Sequence, residues 1–180
     1  MAKMIILDRD GVINHDSDHY IRTADEWLPI AGSLEAISEL KKAGYLVTIA
    51  TNQSGIARGL YSEQTLQQIH DKMIKLLGLH GASVDGIFYC PHSPQENCSC
   101  RKPRPGLLMQ IAREFNIDLA QTPLVGDKLS DIKAARAAHA KPVLVRTGKG
   151  QQVMQNNPGV NGFPVYDDLA HFVRETLKHR

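Results

Sequence analysis

Short apolar runs alternate along the chain with longer segments that carry a single apolar stripe. Met4 to Leu7 is apolar throughout and ends in charge; Tyr45 to Ala50, entered from Gly44, is a second run rich in β-formers. Short runs without polar alternation suit strands buried on both faces. Between them, Ser33 to Ala43 places Leu34, Ile37 and Leu40 on one helical face, with Ser33 as the expected N-cap and Gly44 as the stop. The alternation predicts further helices at Ser62 to Leu77, Gly106 to Phe115 and Ser130 to Ala138, and strands at Gly86 to Tyr89, Pro123 to Gly126 and Pro142 to Arg146. Gln151 to Gly162, rich in Gln, Asn, Gly and Pro, predicts an irregular surface segment before a last helix at Leu169 to Leu177. The expected fold class is α/β, a parallel sheet covered by helices on both faces. Ligands of such sheets bind at the carboxyl ends of the strands. That edge collects Asp8 and Asp10 after the first strand, Thr51 and Asn52 after the second, and Asp127 and Lys128 after a later one.

Composition narrows the picture further. With 180 residues, 42% of them hydrophobic, the chain is long enough for one sizeable core and short for two, so residues 1–180 are expected to form a single domain. The formal net charge is +2 and the basic residues are scattered, which gives no reason to expect nucleic acid. No apolar stretch approaches the roughly 20 residues that span a bilayer, and the N-terminus lacks the pattern of a signal peptide, so no membrane association and a cytoplasmic location are expected.

Asp8-Arg9-Asp10-Gly11 sets two carboxylates two residues apart, which in an extended segment project to one side while Arg9 points away; Gly11 lets the chain turn at once. An isolated Asp-x-Asp is equally well two polar residues ending a strand. Asp127, followed by Asp131, changes the balance, because a few carboxylates beside a substrate phosphate suit Mg²⁺.

All three cysteines lie between residues 90 and 100. Cys90, His92, Cys98 and Cys100 supply four donors for tetrahedral zinc, and a site closed by four protein ligands is structural. The one-residue gaps are tighter than common finger spacing, and reduced cysteines beside a chance histidine are the alternative. Four prolines at 91, 94, 103 and 105 keep the segment out of regular structure. A zinc ion there would stiffen the loop so that Arg101 and Lys102 face the site.

Asp8-Arg9-Asp10-Gly11-Val12, Thr51-Asn52, Lys102 and Gly126-Asp127-Lys128-Leu129-Ser130-Asp131 resemble, in order, the four motifs of the haloacid dehalogenase superfamily of phosphatases. The resemblance implies a three-layer, Rossmann-like sheet. It implies Asp8 as nucleophile, Asp10 as general acid/base, and Thr51, the Asn52 backbone N–H and Lys102 as holders of the phosphoryl group. Mg²⁺ would be bound by Asp8, Asp127 and the Asp10 carbonyl, and Asp131 would position Lys128 or Lys102. Residues 12–32 and 52–61 are too short for a lid domain, so the fold is expected to be capless and the site open.

The zinc loop resembles a subgroup that contains sugar-bisphosphate and histidinol-phosphate phosphatases. Thr51 to Gly59 and Cys100-Arg101-Lys102-Pro103 look most like its sugar-bisphosphate members, which implies removal of the C7 phosphate of a heptose 1,7-bisphosphate, with a product destined for nucleotide-activated heptose and lipopolysaccharide core. Histidinol phosphate is the alternative substrate. By this resemblance Asp16, Ser17, Asp18, His19, Tyr20, Thr51, Asn52, Gln53, Ser54, Arg101, Lys102 and Lys128 contact the phosphosugar. Arg101 would be the partner of a second phosphate, its bland alternative being a solvated arginine. The expected cofactors are catalytic Mg²⁺ and structural Zn²⁺, and the expected assembly is a monomer. A non-catalytic zinc-stabilised binding module would have no use for Asp8, Asp10, Thr51, Lys102 and Asp127 together. Trp27 is expected to pack in the core, His15 is read as a surface or substrate-contacting group rather than a metal ligand, and His70, His80, His139, His171 and His179 are assigned no chemistry.

Overall fold

A computed structural model describes residues 3–157, 159 and 162–178. Its strands β1 (Met4–Leu7), β2 (Leu46–Asn52), β3 (Gly86–Cys90), β4 (Pro123–Gly126), β5 (Lys141–Val145) and β6 (Val165–Tyr166) form one parallel sheet in the order β3-β2-β1-β4-β5-β6. The helices are α1 (Ser33–Lys42), α2 (Glu63–Leu79), α3 (Gly106–Phe115), α4 (Leu129–Ala137), α5 (Gly150–Asn156) and α6 (Leu169–Lys178). No helix among the described residues is long and apolar enough to cross a membrane.

The two-residue period of a strand divides β1 between the layers. Ile5 and Leu7 pack with Leu34, Ile37 and Leu40 of α1, Ile69, Met73 and Leu77 of α2, and Phe172 and Val173 of α6. Met4 and Ile6 pack on the other side with Leu107, Leu108 and Ile111 of α3 and Ala134 and Ala135 of α4. This is the expected three-layer α/β sandwich with its carboxyl edge left for chemistry. Chain order runs outward from β1 to β2 and β3, then crosses to β4 on the other side, so the topological switch point lies between β1 and β4.

Two expectations from the pattern fail, and one strand, β6, was not expected. Residues 150–156 are helical rather than irregular, because Val153 and Met154 pack against the buried pair Ile132 and Leu144 and tertiary contact outweighs the polar composition. Residues 158, 160 and 161 of the same predicted segment lie outside the described residues. β6, two residues long, leaves no readable period. Ser33 is not the cap of α1: Gly32 takes that place at φ 83°, and the buried Ser33 hydroxyl donates to the Ile13 carbonyl at 2.7 Å. Ser62 does cap α2, accepting from the Thr65 N–H at 3.1 Å, and Gly44 turns the chain after α1 at φ 79°. Trp27 is fully buried, as expected of a packing residue.

Candidate active site

The ends of β1, β2 and β4 and the segment after β5 meet around an open cleft of about 570 Å³. Asp8, Asp10, Thr51 and Lys102 line it. So do Asp16, Ser17, Asp18 and Tyr20 from the loop after β1, Asn52, Gln53 and Ser54 after β2, and Arg101 and Lys128. His19, expected among them, does not line the cleft; it is exposed, its N–H donating to the Ser17 hydroxyl.

Two lysines organise the carboxylates. Lys102 is buried, and its Nζ lies 3.1 Å from Asp8 Oδ1, 2.6 Å from Asp131 Oδ1 and 2.6 Å from the Ala50 carbonyl. Burial opposes the charge, but Asp131 and Asp8 outweigh it and raise the lysine's pKa. Lys102 belongs to the Cys/His loop, which is tied to the end of β2 by reciprocal bonds of 3.0 and 2.9 Å between the Lys102 backbone and the Asn52 side chain. Lys128 Nζ reaches Asp127 Oδ1 at 2.9 Å, the Asp10 carbonyl and Asp16 Oδ2 at 3.3 Å, and Asp8 Oδ2 at 4.0 Å. The Lys128 N–H also donates to Asp131 Oδ2 at 3.0 Å. Asp131 therefore touches both lysines.

The same oxygens suit a divalent cation. Asp8, Asp127 and Asp131 each offer a carboxylate oxygen within 4.8 Å of the others, and the Asp10 carbonyl joins Asp8 and Asp127 around the Lys128 ammonium. An all-oxygen set with excess negative charge is what Mg²⁺ takes. The electrostatics point the same way: burial pushes the Asp8 carboxyl up against the pull of Lys102, and burial pushes Asp127 up to about 7, with Lys128 opposing it and Asp8 and Asp131 adding to it. Gly11, at φ 86°, and Gly148, at φ 57°, flank Asp127 so closely that a Cβ on either would fall 2.1 Å from Asp127 Oδ2. The Lys149 N–H donates to that oxygen at 2.8 Å.

Arg9 does not point away from the acidic pair. It is entirely buried, with Nε and Nη2 donating to the Asp10 carboxylate at 2.9 and 3.1 Å, because the chain turns at Gly11 instead of continuing as a strand. Asn14 and Gln53 donate to the same carboxylate at 2.9 and 3.1 Å. Burial opposes ionisation of Asp10, but Arg9 and Asn14 outweigh it and hold the carboxyl below its usual range. His70, assigned no chemistry from the sequence, is buried with Nε2 3.1 Å from Arg9 Nη1, and burial, reinforced by the Arg9 charge, lowers its pKa to about 4. The available signal was its place on the buried face of α2 with Leu66, Ile69 and Met73. Tyr61, whose hydroxyl donates to Gln53 Oε1 at 2.6 Å, and Lys149, ion-paired with Asp18, also line the cleft and were missed.

At the cleft's edge, Cys90 Sγ, His92 Nδ1, Cys98 Sγ and Cys100 Sγ approach one another at 3.1 to 3.5 Å, and none of the cysteines is in a disulfide. A tetrahedron with zinc bonds of about 2.0–2.3 Å has edges of about 3.3–3.8 Å; four of these separations fall in that range and the Cys90–Cys100 pair, at 3.1 Å, is slightly shorter, so the four donors converge on a space that suits one small ion. Arg101 Nη1 donates to the His92 carbonyl at 3.3 Å, linking this cluster to the cleft.

Residues 99–172 match the HAD-hydrolase-like family model. The fold and the carboxyl-edge aspartates thus define a hydrolase of the haloacid dehalogenase class. The chain is 50% identical to the D-glycero-β-D-manno-heptose-1,7-bisphosphate 7-phosphatase of Pseudomonas putida, over 97% of this chain and 99% of that one. It is 48% identical to the same-named enzyme of Bordetella bronchiseptica, over 98% of each. A crystal structure of the B. bronchiseptica phosphatase complexed with magnesium and phosphate superposes with a TM-score of 0.96 over 99% of both chains. The Burkholderia thailandensis phosphatase, 40% identical, gives 0.77 over 97% of this chain and 98% of that one. The chain belongs to the family of D-glycero-D-manno-heptose-1,7-bisphosphate 7-phosphatases.

Proposed function

We propose that this chain hydrolyses the C7 phosphate of D-glycero-β-D-manno-heptose 1,7-bisphosphate, releasing heptose 1-phosphate, as a single-domain monomer. One observation carries the reaction: Asp8, Asp10, Thr51 and Lys102, contributed by three separate stretches of chain, face one cleft. The substrate and its β anomer rest on the named relatives, which favour this reading over histidinol phosphate.

In this reading Asp8 attacks phosphorus and becomes an aspartyl phosphate. Asp10 protonates the departing C7 oxygen and then deprotonates the water that cleaves the acyl phosphate. Lys102 and Thr51 hold phosphoryl oxygens, and Arg101, Asn52, Gln53, Ser54 and the loop from Asp16 to Tyr20 position the rest of the sugar bisphosphate. Asp8, Asp127 and the Asp10 carbonyl would hold Mg²⁺, and Lys128, which lines the cleft beside them, would contact substrate. When bound, the ion supplies charge neutralisation between the carboxylate and the phosphate. The test compares kcat/KM for both heptose bisphosphate anomers, histidinol phosphate and an aryl phosphate in the presence of magnesium. A preference for the β bisphosphate is expected, and a preference for histidinol phosphate would overturn the substrate.

Asp127 provides a check on the metal assignment. Gly148→Ala places a Cβ against its carboxylate on a backbone already in the left-handed region. The magnesium concentration for half-maximal activity is expected to rise about tenfold or more. An unchanged titration would remove Asp127 from the ligand set.

Zinc at Cys90, His92, Cys98 and Cys100 has four protein ligands and so a structural role. Freshly purified protein is expected to contain about one zinc per chain, and Cys98→Ser to lose it together with the thermal stability of the loop. Protein with no stoichiometric zinc and full activity would defeat this assignment.

A further inference from the structure

The apolar face of α2 buries one polar side chain that does not line the cleft. His70 sits beside Ile69 and Met73, 61 positions along the chain from Arg9 and in direct contact with it. Arg9 is itself fully buried, so the hydrogen-bonding of its guanidinium can be followed group by group. Nε and Nη2 face Asp10, and Nη1 faces His70 Nε2 at 3.1 Å. A guanidinium only donates, so Nε2 of His70 is the acceptor and the ring proton lies on Nδ1. Without that acceptor Nη1 would lose its hydrogen bond in a buried setting, which costs free energy and removes one of the contacts that fix the plane of the group.

We propose that His70 is a positioning residue for the acid/base: by accepting from Arg9 it fixes the guanidinium, and the guanidinium fixes the carboxylate plane of Asp10. This deepens the proposed function and rests on the role given there to Asp10. Position matters because proton transfer to a leaving oxygen requires hydrogen-bond reach, and small displacements of a catalytic group cost rate steeply. Asn14 and Gln53 hold the same carboxylate from other directions, so loss of His70 reorients Asp10 without freeing it.

The consequence is selective for the leaving group. A sugar alkoxide needs a proton as it departs, whereas 4-nitrophenolate leaves as the anion. The two constants kcat/KM, which cover events through departure of the first product, therefore separate a misaligned acid from a generally damaged site. The experiment measures both, with magnesium, for wild type, His70→Leu, His70→Gln and Asp10→Asn, together with melting temperatures. His70→Leu is expected to lose about tenfold or more on the heptose bisphosphate and less than about twofold on 4-nitrophenyl phosphate, in the direction of Asp10→Asn. His70→Gln, whose amide oxygen can accept from Arg9, is expected to stay within about threefold of wild type on both. Equal losses on the two substrates, no loss in His70→Leu, or Leu and Gln falling together with melting temperature would each overturn the proposal. Should His70→Leu fail to fold, His70→Asn takes its place: its shorter stem withdraws the acceptor, and it is expected to show the same selective loss relative to Gln. Wild type that cleaves only the aryl phosphate would overturn the proposed function itself; wild-type cleavage of the sugar phosphate with an indifferent His70 would overturn this inference alone.

Discussion

Asp8→Asn is expected to abolish phosphate release from the heptose bisphosphate, lowering turnover by on the order of 10⁴ or more while the protein stays folded. The amide cannot form the acyl phosphate, and no neighbouring carboxylate can take over. Asp131 is occupied by Lys102 and the Lys128 N–H, and Asp127 by Lys128 and the Lys149 N–H. Stability should hold for an electrostatic reason. Asp8 shares a buried cluster with Asp127 and Asp131, and removing one negative charge relieves like-charge repulsion while Lys102 keeps Asp131 and the Ala50 carbonyl. The check is a pair of measurements on one preparation: turnover, and a melting temperature close to or above that of wild type. Turnover surviving in Asp8→Asn would displace the nucleophile assignment and with it the roles built on it.

The sequence was most informative where burial leaves few choices. β1 and β2 lie inside a parallel sheet covered on both faces, so Met4 to Leu7 is wholly apolar and Leu46 to Ala50 is apolar but for the buried Thr48, and the runs show it. Once those strands are ordered as parallel, Asp8, Thr51 and Asp127 fall on one edge, which is why the core of the site is legible in the sequence. The failures share a different cause. α5 follows from Val153 and Met154 finding Ile132 and Leu144, and the Ser33 hydroxyl from finding Ile13, contacts that no local pattern encodes. Arg9 was misplaced because the strand's alternation was carried one turn too far. Tyr61 and His70 act on Gln53 and Arg9 through hydrogen bonds between side chains that are 8 and 61 positions apart. A histidine inside an apolar stripe marks such a contact without naming its partner.

Lys102→Met is expected to damage both activity and folding, and the second effect is the more diagnostic. The side chain is about 2% exposed and its ammonium is shared by Asp8, Asp131 and the Ala50 carbonyl. Methionine can occupy the volume of the stem but offers no donor, so two buried carboxylates lose their common cation. Breaking a buried pair from one side typically costs about 3–5 kcal/mol, and at about 2–4 °C per kcal/mol for a domain of this size the melting temperature should fall by about 10 °C. Turnover should fall by on the order of 10²–10³, since one preorganised cation at a phosphoryl group is worth that much. The double variant Lys102→Met/Asp131→Asn separates the two contributions. Neutralising Asp131 removes a charge that Lys102→Met leaves unpaired, so the double variant should melt higher than the single while remaining as inactive. If instead the two substitutions add, Lys102 and Asp131 are energetically independent, and the short contact between them does not hold the Cys/His loop against the active site.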